Sequence, residues 1–245
     1  MISKAKSKFI KSLQIKKYRK QEQCFVAEGK KSVLELFNSD FEVVMLAATE
    51  EFLQQYTGLI RKGIEVIPVS TNELSSLGEF QSNDSGLAVA RIKPNEPVTV
   101  NADEFGLVLD DVRDPGNLGT IVRTADWYGI EKIIASPESA EIYNGKVITA
   151  TMGSFTRIKI YYTELGNFLR QTPHQVFGTF LDGENVHSVN FGNGGLIVVG
   201  NESKGISGEV EKLVTRRITI PKFGKAESLN AAMATGIVLD NLRRR

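Results

Sequence analysis

Five polar side chains at three turns are the candidates for chemistry in this 245-residue chain. Asn117 and Arg123 follow an apolar run that starts Leu107-Val108-Leu109. Between run and pair lies the turn Asp114-Pro115-Gly116-Asn117-Leu118-Gly119. Glu202 follows Leu196-Ile197-Val198-Val199, inside Gly200-Asn201-Glu202-Ser203-Lys204-Gly205-Ile206-Ser207. Ser228 and Asn230 close the third turn, which begins at Ile220-Pro221. None of the five is a histidine or cysteine, so no ordinary general base or thiol nucleophile stands among them. Ser228 has no evident histidine partner, which disfavours a serine hydrolase. The second turn nearly matches the phosphate loop G-x-x-x-x-G-K-[ST], but Ile206 stands where that loop needs its lysine. No G-x-G-x-x-G follows any strand, which weakens a nicotinamide oxidoreductase. The set suits holding a polar, anionic substrate and stabilising charge as it develops. Three solvated loops are the plain alternative.

Such groups are positioned by strands whose carboxyl ends open into a site. Leu107 to Val112 reads as a buried parallel strand. A helix is expected from Thr120, with Ile121, Val122 and Ala125 inward and Gly129 as its stop. Ser228 sits where an N-cap is wanted before Ala231, Ala232 and Ala234, and the last helix should run from about Leu229 to Arg244. Asn230, placed inside its first turn, is a poor helix former. Further strands are expected at Lys132–Ala135, 157–162, 176–181, Gly195–Val199 and 217–220, with helices at 145–151, 164–171 and 209–214. Upstream, strands at 24–27, 41–47, 64–69 and 86–92 alternate with helices. Val33, Leu34 and Phe37 face inward on Lys30–Phe37, Thr49 caps the next helix, and Ser70 with Glu73 has capping-box spacing. Two prolines in Lys93-Pro94-Asn95-Glu96-Pro97 mark a stiff extended linker. The organisation is therefore α/β, with a small N-terminal domain over 1–93, a linker over 94–104 and a second domain with a parallel sheet over 105–245.

Composition narrows the class. A single cysteine, Cys24, excludes an internal disulfide and, with His174 and His187, makes a poor ligand set, so no metal is expected. No apolar run has the length of a membrane span or a secretory signal, which predicts a soluble cytoplasmic protein with no membrane partner. The net charge of +1 hides an asymmetry: residues 1–20 carry eight basic side chains and no acid, leaving 22 basic against 29 acidic groups in the rest. A local cationic segment on an acidic body points to a polyanion. Phe9, Ile10 and Leu13 give this segment an apolar face, so it should dock on the body. The stretch from Arg216 to Lys225 is also basic, with four cations and no acid.

Together the three turns resemble the three motifs of the SpoU-type RNA ribose 2′-O-methyltransferases of the SPOUT superfamily. The first is Asp114 to Gly119 through Arg123-Thr124-Ala125, the second Gly200-Asn201-Glu202 with Gly205, and the third Ile220-Pro221 with Glu227-Ser228-Leu229-Asn230. Lys17-Tyr18-Arg19-Lys20 through Phe25-Val26-Ala27-Glu28-Gly29 is similar to the RNA-binding domain that precedes many such enzymes. Gln81 to Gly86 departs from it, since relatives more often carry a threonine-proline pair there. The resemblance implies a trefoil knot in the C-terminal domain, S-adenosylmethionine as cofactor, a homodimer and an RNA substrate; the full N-terminal domain with its eight uncompensated cations favours a structured ribosomal RNA segment over tRNA. It implies Gly200, Ile220 and Leu229 at the cofactor, with Thr179 a further candidate. Asn117, Arg123, Glu202, Ser228 and Asn230 match the catalytic and substrate-contacting set. In that scheme Asn117 orients Arg123, Glu202 fixes its guanidinium, and Ser228 with Asn230 shapes the cofactor loop. A guanidinium holds its proton, so Arg123 is better suited to stabilising an alkoxide or clamping a phosphate than to acting as a base. A catalytically silent RNA-binding protein and a tRNA methyltransferase remain alternatives; an oxidoreductase is separable from all of them by which cofactor binds.

Overall fold

A computed structural model describes residues 2–79 and 83–244 of the chain. They fall into two compact units, one of Met1–Pro94 with Tyr143–Thr156 and one of Asn95–Ile142 with Arg157–Arg245. The first unit opens with helices α1 (Lys4–Ser12) and α2 (Lys16–Glu22), so the basic segment is an elbow of two helices. Ile10 and Leu13 are fully buried in the core of this unit and Phe9 packs beside them, as the apolar face required. Burying two such side chains contributes about 1.5–3 kcal/mol each. Arg19 is also buried; its Nη1 donates to the carbonyls of Leu13 and Gln14 at 3.0 and 2.8 Å and holds the elbow.

Strands β1 (Cys24–Glu28), β2 (Val43–Ala48), β3 (Glu65–Pro68) and β4 (Gly86–Arg91) form a mixed sheet in the order β1-β4-β2-β3, with only β2 and β3 parallel. Helices α3 (Lys30–Phe37), α4 (Glu50–Tyr56) and α5 (Thr71–Leu77) connect them. On α3 Val33 and Phe37 are buried as expected, while Leu36 takes the inward place expected of Leu34, which is only half-buried. Thr49 caps α4, and the capping box of Ser70 and Glu73 closes at both of its hydrogen bonds. Gln81 and Ser82, where the departure from RNA-binding domains begins, lie outside the described residues. Asn83 beyond them is buried and pins the loop, accepting from the N–H groups of Ser85 and Gly86 at 3.2 Å each. Helix α7 (Gly145–Thr151) belongs to this unit although its sequence lies far downstream. The reason is aromatic: Phe25 meets Tyr143 at 4.7 Å and Phe155 at 5.9 Å between ring centres.

The second unit is built on strands β5 (Phe105–Leu109), β6 (Lys132–Ala135), β7 (Lys159–Tyr162), β8 (Val176–Asn185), β9 (Gly195–Val199) and β10 (Arg216–Thr219). Among the described residues they form one parallel sheet in the order β10-β8-β9-β5-β6-β7. Val108, Ile134, Leu196 and Val198 share one core cluster, while Leu107, Ile133 and Ile197 alternate to the opposite face and are buried too. Helices α6 (Pro115–Trp127), α8 (Leu165–Gln171), α9 (Gly208–Glu211) and α10 (Ala231–Arg243) complete the layers. The stretch after Pro94 is extended but attached: Asn95 exchanges hydrogen bonds with Tyr162 at the end of β7, and Val98 and Val100 pack on the unit's core. No helix among the described residues is long and apolar enough to cross a membrane.

Several boundaries differ from expectation, and three of them border the candidate site. β5 stops at Leu109 rather than Val112, because Asp111 turns into the left-handed region at φ 59°. α6 starts at Pro115 rather than Thr120: Asp114 caps it, accepting from the Asn117 N–H at 2.7 Å, and proline at the first helical position sacrifices no hydrogen bond. Turn-forming residues are thus the first turn of a helix. Its end is as expected, with Gly129 at φ 67°. α10 starts at Ala231 rather than Leu229, and its N-cap is Asn230 rather than Ser228.

Candidate active site

The order of strands reverses between β5 and β9: the chain proceeds from β5 outward through β6 and β7, then fills the other side. Ligands in open α/β sheets bind at the carboxyl ends of strands flanking such a reversal. The loops leaving β5 and β9 are tied together there. The Asp110 N–H donates to the Val199 carbonyl at 2.9 Å, and the buried Asp110 carboxylate accepts from the Ser207 N–H at 2.6 Å. Asn201 Nδ2 donates to the Asp111 carbonyl at 2.8 Å, while its Oδ1 accepts from the N–H groups of Ser203 and Lys204. Asn201 and Gly205 exchange backbone hydrogen bonds, closing a tight loop that presents Glu202. The bond between Asp111 and Arg113 Nε, 2.5 Å long, raises the arginine's pKa.

Three of the five sequence candidates meet in one chain of hydrogen bonds. Asn230 Nδ2 donates to Asn117 Oδ1 at 2.8 Å, and Asn117 Nδ2 donates to Glu202 Oε1 at 2.6 Å. One residue comes from the start of α6, one from the loop after β9 and one from the start of α10. Asn230 serves twice, because its Oδ1 caps α10 through the N–H groups of Ala232 and Met233. Its location is therefore that of a strongly preferred capping residue.

Arg123 and Ser228 stand outside the chain of bonds. Both are exposed and have no hydrogen bond or ion pair among the described residues. Asn117 and Glu202 bond each other, and neither bonds the Arg123 guanidinium among the described residues. The cause is helical phase: Arg123 is six residues beyond Asn117, which turns it about 120° around the helix axis. The basic third turn is also less cationic than its composition. Arg216 pairs with Glu184, and Arg217 with Asp182 and Glu211, leaving Lys222 and Lys225 exposed.

Of the four cofactor candidates, Gly200 and Ile220 directly follow β9 and β10, Thr179 lies within β8, and Leu229 lies between β10 and α10. In Gly200 any Cβ would stand 2.3 Å from the Gly205 carbonyl carbon and 2.4 Å from the Ile206 nitrogen, so only glycine fits. Between Ile220 and Leu229 no backbone group is bonded to another backbone group among the described residues. Thr179 donates its hydroxyl to the Val198 carbonyl at 3.0 Å. It begins a five-residue excursion, since Arg217 pairs with Gly178 and Ile218 with Glu184. Among the described residues no three His, Cys, Asp or Glu side chains converge as a metal site.

Sequence reasoning gave no role to Asp110, Asp111 and Asn201, which hold the loops in place. An asparagine two residues before a small polar one is a turn signal that could have identified Asn201; the other two needed the tertiary contact.

Residues 104–240 match the SpoU rRNA Methylase family, and residues 4–88 match the MRM3-like substrate binding domain. The chain is similar to the 23S rRNA (guanosine(2553)-2'-O)-methyltransferase of Bacillus subtilis, 28% identical over 237 residues, which is 95% of this chain and 94% of that protein. A solved TrmH-family structure from Porphyromonas gingivalis is 34% identical, with a TM-score of 0.90 over 99% of this chain and 98% of the other. The AdoMet-bound rRNA methyltransferase from Sinorhizobium meliloti is 29% identical, with a TM-score of 0.90 over 99% and 95%.

Proposed function

We propose, from the premise that this chain belongs to the SpoU rRNA methylase family, that it transfers a methyl group from S-adenosylmethionine to a ribose 2′-hydroxyl of ribosomal RNA. The observation that carries this reading is the chain of bonds from Asn230 through Asn117 to Glu202, which joins the three motifs at the reversal of the sheet. It is supported by the relatives in Bacillus subtilis, whose name specifies 23S rRNA 2'-O-methylation, and in Sinorhizobium meliloti, whose structure holds AdoMet.

The residues present fit that cofactor. Gly200 clears space next to the β9 loop, and the unbonded backbone from Ile220 to Leu229 can take its polar edges. Thr179 retains an acceptor on its hydroxyl. S-adenosylmethionine supplies a sulfonium methyl that is already activated, so the protein's task is alignment and charge stabilisation. Arg123, exposed and unpaired among the described residues, can clamp a phosphate or stabilise the developing alkoxide. The Asn230–Asn117–Glu202 chain fixes the β9 loop against two helix starts, and Ser228 shapes the loop between them.

The division of labour follows the sequence: RNA binding by 1–93, an extended link over 94–104 and transfer by 105–245, with 143–156 lent to the first unit. The trefoil knot belongs to this reading, supported by the crossed order in which β8, β9 and β10 enter the sheet. So does a homodimer, for which the exposed apolar side chains Trp127 (84% exposed), Phe223 (96%) and Met233 (62%) argue. A cytoplasmic location also belongs to this reading.

The test is to incubate purified protein with S-adenosylmethionine and unmodified total RNA, then map 2′-O-methyl groups. A discrete site in ribosomal RNA is expected. Equal transfer to bulk tRNA would remove the substrate assignment, and absence of transfer to either would favour a silent RNA-binding protein.

A further inference from the structure

The elbow between α1 and α2 encloses an open groove of about 960 Å³. Lys4, Lys8, Lys11 and Phe9 line it from α1, Ile15 and Tyr18 from the elbow and α2. Ile15 is 56% and Tyr18 37% exposed, and the Tyr18 hydroxyl has no hydrogen bond among the described residues. Local stability explains neither residue nor its neighbours. Ile15 occupies the N-cap of α2 without any side-chain capping bond, where Ser, Thr, Asn or Asp would serve better. Lys16 and Lys17 follow in the first turn, against the sense of the helix dipole. Meanwhile the structure invests in the groove's shape. Arg19, only 2% exposed, is desolvated to bond the carbonyls of Leu13 and Gln14, and Gln14 Nε2 donates to the Leu77 carbonyl at 3.3 Å. Rules of local stability that are set aside on a rigidly held surface mark a functional one.

Charge selects the occupant. Of the eight cations in this segment, Arg19 is buried and Lys6 pairs with Glu65. Lys4, Lys8, Lys11, Lys16, Lys17 and Lys20 are exposed and unpaired among the described residues. We propose that the groove binds an unpaired stretch of RNA, with one base stacked on Tyr18 beside Ile15 and the flanking phosphates on the lysines. A duplex keeps its bases inside and offers the tyrosine nothing to stack on, whereas an unpaired strand presents both base faces and phosphates. The proposal rests on the RNA-methyltransferase reading and adds the conformation of the RNA that the first unit grips.

The test uses the full chain and two labelled probes, a nine-residue oligouridylate and an RNA duplex of equal length. Tyr18→Ala should weaken oligouridylate binding about five- to 150-fold, the range for loss of one stacked base. Tyr18→Phe should keep the affinity, and the weaker duplex binding should not change in either variant. Ile15→Ser, which improves the helix cap, should hold or raise the melting temperature while lowering oligouridylate affinity, so misfolding cannot mimic the result. The proposal is overturned if Tyr18→Ala binds oligouridylate as the parent does, or loses strand and duplex alike. It is overturned too if phosphatidylglycerol vesicles capture the protein and oligouridylate does not. Methyl transfer to ribosomal RNA by the parent, together with binding indifferent to Tyr18, would sink the groove alone. A parent that transfers no methyl would sink the enzymatic reading whatever the groove does.

Discussion

At the scale of single residues, Arg123 and Asn230 separate chemistry from architecture. Arg123 is exposed and makes no bond among the described residues, so Arg123→Ala should change stability by no more than about 0.5 kcal/mol. Transfer should nevertheless fall by about 10²- to 10³-fold, the usual cost of losing a group that stabilises developing charge. Binding of S-adenosylmethionine, measured by calorimetry, should stay nearly intact. Arg123→Lys should recover little if a planar two-point clamp is needed; near-normal turnover in that variant would mean that plain charge suffices. Asn230 combines a cap with a donor to Asn117. Asn230→Ala should cost about 1 kcal/mol for the lost cap and most of the transfer rate. Asn230→Ser restores a capping oxygen without an amide, so melting should recover and transfer should not. Recovery of both would show that the bond to Asn117 is idle.

Among the elements, α5 illustrates how a local signal acquires a long-range role. Glu73 closes the capping box of that helix, and its carboxylate also accepts from the Ile2 N–H at 3.2 Å, tethering the start of the chain. The Ser70 backbone bond, then that of Ile2, holds the Glu73 pKa below its usual value. A carboxyl with a depressed folded pKa binds fewer protons in the native state than in the unfolded one. Its stabilisation is complete above the unfolded value, about 4.3, and fades as pH falls through the lower folded one. Glu73→Ala should therefore melt below the parent at pH 6 to 7, and the gap should close as the buffer is taken towards about pH 3. A gap that stays constant over that range would mean that the charged hydrogen bonds contribute nothing.

On the scale of the whole molecule, the surface decides partners. Trp127 stands 84% exposed at the end of α6, so Trp127→Glu touches no core. If that face joins two copies, the variant should sediment as a monomer with an unchanged fold and impaired transfer; unchanged sedimentation would place the interface elsewhere. The N-terminal cations require subtler treatment than truncation, because removing residues 1–20 also removes Ile10 and Leu13 from the core. Replacing Lys4, Lys8, Lys11, Lys16, Lys17 and Lys20 by glutamine keeps that core. RNA affinity should drop, and the slope of log affinity against log salt should flatten by about 0.7–0.9 for each phosphate that is no longer neutralised. Cofactor binding should not respond. An unaltered slope would assign RNA gripping to the other unit.

Much of this was available in the linear order of residues. Helices such as Lys30–Phe37 and Gly145–Thr151 and strands such as Lys132–Ala135 and Gly195–Val199 announce themselves through apolar spacing and local caps, which act over a few residues. The three turns were legible for the same reason: glycine, proline and asparagine report local backbone needs, and their order carried the family resemblance. Contacts between distant parts of the chain were not legible. Whether Asp114-Pro115-Gly116-Asn117 is a loop or the first turn of α6 depends on which group caps it, and Asn230 looked misplaced until the true helix start appeared. The bond from Asn117 to Glu202 joins residues 85 apart, and that from Asn230 to Asn117 spans 113. The burial of Arg19 and the transfer of residues 143–156 to the first unit likewise depend on what the folded chain brings alongside. Local backbone preference is written residue by residue, whereas side-chain partnership exists only once the sheet has set the distances.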